Sequence, residues 1–175
     1  MLVISDVPTI DQLRSEAAQA PPADADARAA TKSRVDNILR PGGAFARLDV
    51  VAVHMAAWQR SSTPKVERPA ALIFAADHGV AVDGVSAYPA EVTAAMLAAF
   101  EAEKATVSAL AAIAGATVGA IVGVGNPTGN LRVEAAMGPE RFAEAFAAGR
   151  SAVAELDADL LILGEMGIGL SLIHI

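Results

Sequence analysis

The sequence predicts an α/β fold: a mainly parallel sheet with helices on both faces, Rossmann-like and three-layered, preceded by a helical N-terminal segment. Three observations carry this. Short continuous apolar runs, "AALIFAA", "ATVGAIVGV" and "DLLIL", alternate with longer helix-forming stretches. Strands of parallel sheets are buried on both faces and read as such runs rather than as alternating patterns. The chain is 54% hydrophobic but only 4% aromatic, its apolar content being largely alanine, which suits close helix–sheet packing better than a bulky core.

Taken in order, residues 1–30 form an acidic, alanine-rich lead, in which "TIDQLRSEAAQA" fits a short helix and "PPADAD" a break. A second helix is expected over 31–39, stopped by Pro41-Gly42-Gly43. In "FARLDVVAVHMAAWQR", Phe45, Leu48, Val51, Met55 and Trp58 recur at helical spacing and are expected to pack into a core. "SSTPKVERP" is a polar connector, and "AALIFAA" a buried strand. Pro89 suits the first turn of the helix "PAEVTAAMLAAF", with Glu91 favourable near its N-terminus. "KATVSALAAIA" is a further helix closed by Gly115, and "ATVGAIVGV" a buried strand. A loop then leads to Gly138-Pro139, the helix "PERFAEAFAAGRSAVAEL", and a third strand running into the glycines of "GEMGIG". Three divisions result: residues 1–44 helical, 45–169 an incomplete α/β nucleotide- and azole-binding domain, and 170–175 a tail of possible non-native origin.

At 175 residues the chain has room for one ordinary domain. A net charge of -7 with no cluster of lysine or arginine argues against a nucleic-acid surface and favours small-molecule chemistry. The absence of cysteine removes disulfide frameworks and thiolate zinc sites. The N-terminus lacks a basic region followed by an apolar one, so a cytoplasmic location is expected. Residues 105–127 carry no charge and are long enough to span a bilayer. They are mostly small residues broken at Gly115, however, and read as helix, turn and strand rather than as a membrane segment.

In open α/β sheets, ligands gather at the carboxyl ends of the strands. Two polar-rich loops follow Phe74 and Leu163, and they are expected to form two walls of one site. The first carries Asp77, His78, Asp83, Ser86 and Tyr88. Asp77, His78 and Asp83, with His54, offer oxygen and nitrogen donors. Neighbours on an extended loop point apart, however, and no paired spacing on one helix supports a metal, so none is expected. The other reading makes Asp77 a turn-former and has His78 hydrogen-bonded to backbone. Tyr88 can wall a pocket for a flat ring or merely cover a helix start, and Met96 can face that pocket or the core. Gly164, Gly167 and Gly169 would let backbone N–H groups approach phosphate oxygens, without the spacing of a Walker loop or a dinucleotide fingerprint. Glu165 among them would repel phosphate. It fits a role toward a ribose hydroxyl, a loop or another part of a ligand, or that of a surface turn residue.

The segments "RVDNILRPGGAFARLD", "FAADHGVAVDGVSAYPAEVTAAM" and "LGEMGIG" together resemble the nicotinate-nucleotide–dimethylbenzimidazole phosphoribosyltransferases of cobalamin biosynthesis, N-terminal part only. The likeness covers residues 33–169 or so, with three motifs in the family's order. It implies transfer of ribose 5-phosphate from nicotinate mononucleotide to 5,6-dimethylbenzimidazole, giving α-ribazole 5′-phosphate and nicotinate with inversion at the anomeric carbon. It implies no cofactor and a homodimer at full length. Tyr88 and Met96 fall where the family lines its benzimidazole pocket, with Ser86 beside them. Glu165, Gly164, Gly167 and Gly169 fall in its nucleotide-approaching loop, and Asp77 and His78 match its Asp-His-Gly as site-shaping residues.

The sequence also departs from the family. Leu170, Ser171 and Leu172 stand where the family has Asn-Thr-Thr, Val122 stands where it has aspartate, and the loop over 126–137 is short. The family's glutamate general base lies in a second half that this sequence does not contain, so no catalytic residue is assigned. The expectation is a fragment, inactive in isolation, with apolar surface exposed. Three alternatives stay open: the same fold with adenine or another azole as acceptor, a non-catalytic small-molecule-binding or assembly module, and, more distantly, a metal-dependent hydrolase.

Overall fold

The run of small apolar residues "PAALIFAA" forms the central strand β1 (Pro69–Ala76) of a three-stranded parallel sheet, flanked by β2 (Thr117–Gly123) and β3 (Leu160–Met166) in the order β2-β1-β3. The structure is a computed structural model and describes residues 8–171. Phe74 stands opposite Ile121 on one side and Glu165 on the other. The amino ends of β1 and β3 are tied together by Asp159, whose carboxylate accepts the Arg68 N–H at 3.0 and 3.1 Å.

Two helices, α4 (Val92–Glu101) and α5 (Thr106–Ala114), carry the chain from β1 to β2. A third, α6 (Pro139–Ala154), carries it back across β1 to β3. Because these crossovers run in opposite directions along the sheet, the right-handed rule places them on opposite faces. The expected layers are therefore present. Gly115 ends α5 at φ +66° with no side chain to oppose it. Residues 105–127 form helix, turn and strand as expected, and among the described residues no helix is long and apolar enough to cross a membrane.

Burial is uneven. β1 is buried along most of its length, but β2 and β3, expected as buried strands, are not. Each has a single strand neighbour among the described residues, and Ile162 and Leu163 remain 46% and 66% exposed.

The described chain divides into two compact units, residues 16–67 and the remainder. The helix α1 (Ile10–Ala18) opens with a reciprocal cap: Thr9 N–H donates to Gln12 Oε1 at 2.7 Å and Gln12 N–H to Thr9 Oγ1 at 3.2 Å. Within residues 16–67, α2 (Ala25–Asp36) begins six residues earlier than the expected 31, because the Asp24 carboxylate caps it by accepting the Ala27 N–H at 2.8 Å. It pairs with α3 (Leu48–Gln59) through the fully buried Ala56 and Ala57, and Thr31 Oγ1 donates to the Ser62 carbonyl at 3.0 Å.

The expected core stripe is corrected here. Phe45, Leu48, Val51 and Trp58 are all more than half exposed, and Met55 is only partly buried. Apart from Val35 the apolar residues of the facing helix α2 are all alanine, and on α3 it is the small Ala56 and Ala57 that are buried. Instead of joining the sheet domain from residue 45 onward, α3 belongs with α2.

Candidate functional site

The carboxyl ends of the three strands converge, and glycines permit it. β1 leaves the sheet through Asp77 and His78 into a short 3₁₀ turn, Gly79–Asp83. At Gly79 the chain passes so close to the loop after β2 that a Cβ there would lie 2.3 Å from the Thr128 carbonyl oxygen. Three hydrogen bonds fix this approach. Thr128 N–H donates to the Asp77 carbonyl at 3.1 Å, Gly79 N–H to Thr128 Oγ1 at 3.3 Å, and Gly125 N–H to Asp77 Oδ2 at 2.6 Å. The last is a charge-assisted bond to a carboxylate. Asp77 therefore holds two strand exits together.

His78 turns the other way, toward β3. A Cβ at Gly167 would fall 2.8 Å from His78 Nε2 and 2.4 Å from the Ala76 carbonyl, and one at Gly169 would fall 2.9 Å from Val80 Cγ1. Gly169 also lies at φ +93°, a conformation that costs other residues strain. In a sheet ordered 2-1-3, the ligand-binding crevice lies between the first and third strands. His78 and Gly167 meet at that point.

His78 Nε2 is buried and has no hydrogen-bond partner among the described residues. Burial pushes the His78 pKa below its ordinary 6.5, and the negative charges of Asp77 and Glu165 oppose that shift without overcoming it. Neutral imidazole is thus the favoured state in the folded protein.

Of the other expected residues, Ser86, Tyr88 and Met96 line neither of the cavities that reach His78. Tyr88 follows the 3₁₀ turn, 66% exposed, its N–H donated to Ser86 Oγ at 3.1 Å. Met96 is partly buried on α4. Gly164 and Glu165, expected in the loop, lie inside β3 opposite Ile73 and Phe74, because the parallel ladder continues to Met166. Only Gly167 and Gly169 belong to the loop itself. Two cavities meet at Asp77 and His78. One, of about 380 Å³, reaches Glu91 and Ala94 at the start of α4. The other, of about 420 Å³, lies against α6 and includes Val122, Arg141 and Glu144.

The metal donors do not assemble. His54 lies on α3 in the other compact unit, its ring 6.2 Å from that of Trp58. Asp83 accepts from Asn130 Nδ2 at 2.8 Å and pairs with Arg132 at 3.4 Å. Among the described residues no three histidine, aspartate or glutamate side chains are grouped to hold a metal ion.

Among the residues that sequence reasoning missed are Thr93 and Thr128. Thr93, fully buried on α4, accepts the Ile168 N–H at 3.3 Å and so joins that helix to the glycine loop. A lone threonine in an alanine-rich helix carries only the weak signal of a polar residue on an inward face. Thr128 looks like any turn residue in "NPTGN", and its role depends on a segment 49 residues away.

Two outcomes are expected. Gly167→Ala drives a Cβ against the Ala76 carbonyl oxygen and should lower unfolding stability by roughly 2 kcal/mol or more in urea titration. The His78 contribution is fully present above pH 6.5, where folded and unfolded imidazoles are both neutral, and is lost as pH falls through the lowered folded value. His78→Asn should therefore flatten the acid limb of a stability–pH curve below about pH 6.5, whereas an unchanged slope would count against a desolvated imidazole.

Comparison with known proteins agrees with this geometry. A family model described as Phosphoribosyltransferase (DBI_PRT) matches residues 20–172. The nicotinate-nucleotide–dimethylbenzimidazole phosphoribosyltransferase of Ruegeria sp. (strain TM1040) is 39% identical over 168 residues, which is 95% of this chain and 50% of the relative. That of Novosphingobium aromaticivorans is 45% identical over 150 residues, 85% of this chain and 44% of the relative. The crystal structure of the Thermus thermophilus protein of that name superposes with a TM-score of 0.73 at 37% identity, covering 83% of this chain and 50% of that one. The chain spans about half the length of the curated relatives it matches. With its parallel sheet and glycine-bounded strand exits, this chain belongs to the nicotinate-nucleotide–dimethylbenzimidazole phosphoribosyltransferase family.

Proposed function

We propose that this chain is the donor- and acceptor-binding part of an enzyme that moves ribose 5-phosphate from nicotinate mononucleotide to 5,6-dimethylbenzimidazole. In this reaction the azole nitrogen attacks the anomeric carbon as the bond to the pyridine nitrogen breaks. Nicotinate leaves, the azole N–H proton passes to a carboxylate base, and α-ribazole 5′-phosphate forms. The base belongs to the part of the relatives' length that this chain does not span. The observation that carries the reading is the meeting of β1 and β3 exits at His78, Gly167 and Gly169, where an α/β sheet of this strand order takes its ligand.

In this reading Tyr88, Ser86 and Met96 wall the flat azole. The backbone at Gly167 and Gly169 approaches the nucleotide, and a phosphate there needs N–H donors rather than side chains. Glu165 and Gly164 hold the end of β3 beside that approach, with the Glu165 carboxylate available to a ribose hydroxyl. Asp77 and His78 shape the site. No metal or cofactor enters the scheme: the work is alignment of nucleophile and leaving group plus one proton transfer. The complete enzyme acts as a homodimer in the cytoplasm.

The test is a chimera of residues 1–169 joined to the remaining half of the Ruegeria relative. The expected result is α-ribazole 5′-phosphate and nicotinate in equal amounts, with Tyr88→Ala raising KM for the azole roughly tenfold and leaving kcat less affected. A folded chimera that consumes no nicotinate mononucleotide with any azole would overturn the reading.

A further inference from the structure

The cavity against α6 contains one arginine with an unusual task. Arg141 projects from the first turns of α6, half-buried, and its guanidinium engages no carboxylate within ion-pair distance among the described residues. Instead Nη1 donates to the Pro127 carbonyl at 2.8 Å and Nη2 to the Asn126 carbonyl. The planar fork therefore spans two consecutive carbonyls of the turn after β2. A guanidinium makes such a paired contact with fixed geometry, which a lysine ammonium, a point charge on a flexible stem, does not reproduce.

That turn is the one that grips the end of β1. Gly125, just before the two carbonyls, donates to the Asp77 carboxylate, and Thr128, just after them, bonds to the Asp77 carbonyl and the Gly79 N–H. The clasped pair lies between the two anchor points. The loop from 124 to 138 has no helix or strand of its own to hold it. Its near end is held to the β1 exit by these bonds and by the fork that braces them from behind, while farther along Asp83 holds Asn130 and Arg132.

We propose that Arg141 is a positioning residue: by clasping the Asn126 and Pro127 carbonyls it sets the turn that holds Asp77 and Gly79, and through them the substrate wall between β1 and β3. As far as substrate is concerned, this rests on the transferase reading above. Arg141 touches no reacting atom in that reading. Its effect reaches the site through Asp77 and the neighbouring His78.

The test compares Arg141→Ala, Arg141→Lys and the unchanged 175-residue chain by backbone amide NMR and by titration with 5,6-dimethylbenzimidazole. Alanine is a good helix former, so α6 should persist. Arg141→Ala is expected to shift the amides of Asp77, Gly79, Gly125 and Thr128 and to weaken azole binding about tenfold. Arg141→Lys should share these shifts. Millimolar guanidinium, far below denaturing levels, should restore the Arg141→Ala spectrum by refilling the fork. Unmoved amides in Arg141→Ala, an Arg141→Lys spectrum like that of the unchanged chain, or shifts that guanidinium fails to reverse would each overturn the proposal. If the unchanged chain binds no azole, the transferase reading loses support while the amide shifts and their rescue still decide the role of Arg141.

Discussion

Backbone approaching backbone without side chains between is the constraint on which this structure depends. At Gly79 the exit of β1 meets the turn after β2, and at Gly167 the exit of β3 meets β1 and the His78 ring, in both places closer than any Cβ allows. Strand ends normally diverge into separate loops. Here two glycines draw three of them together, and Asp77 and Thr128 supply the hydrogen bonds that keep two of them there. A half-buried histidine sits at the junction with its Nε2 enclosed and unpartnered among the described residues, and that burial favours its neutral form.

The same reliance on small residues runs through the rest of the fold. Gly149 lets α6 lie against Phe74, with 3.3 Å between the ring and the point where a Cβ would stand, and Ala56 and Ala57 let α2 and α3 approach. Packing of this sort brings elements close but buries modest area per residue. Large side chains such as Trp58, Leu163 and Phe45 consequently remain exposed. The relatives are about twice as long as the matched segment, and both outer strands of the sheet, β2 and β3, keep exposed residues.

Much of the architecture was legible in the sequence because parallel strands are continuous apolar runs and Gly115 and Pro139 punctuate the helices where they must. The burial of the helical stripe on α3 was not legible: helical periodicity says which residues share a face, and says nothing of whether a partner has matching side chains. The start of α2 was missed because Asp24 lies in a run of prolines, alanines and aspartates that reads as a break, although one of those aspartates is the cap. The Asp-His-Gly and glycine motifs marked two strand exits that the structure brings close together, since local sequence marks a sharp exit. Thr93, Thr128 and Arg141 were invisible for the opposite reason. Each acts on backbone far away in sequence, and no local pattern distinguishes such a residue from an ordinary helix or turn residue.

The central claim, that ligand is taken where β1 and β3 leave the sheet, is most directly tested by mapping amide shifts as nicotinate mononucleotide is added to the chain. The account predicts shifts concentrated at residues 77–88 and 165–169, with residues 16–67 unmoved. Shifts confined to 16–67, or to the apolar edge of β3 away from Gly167, would contradict it.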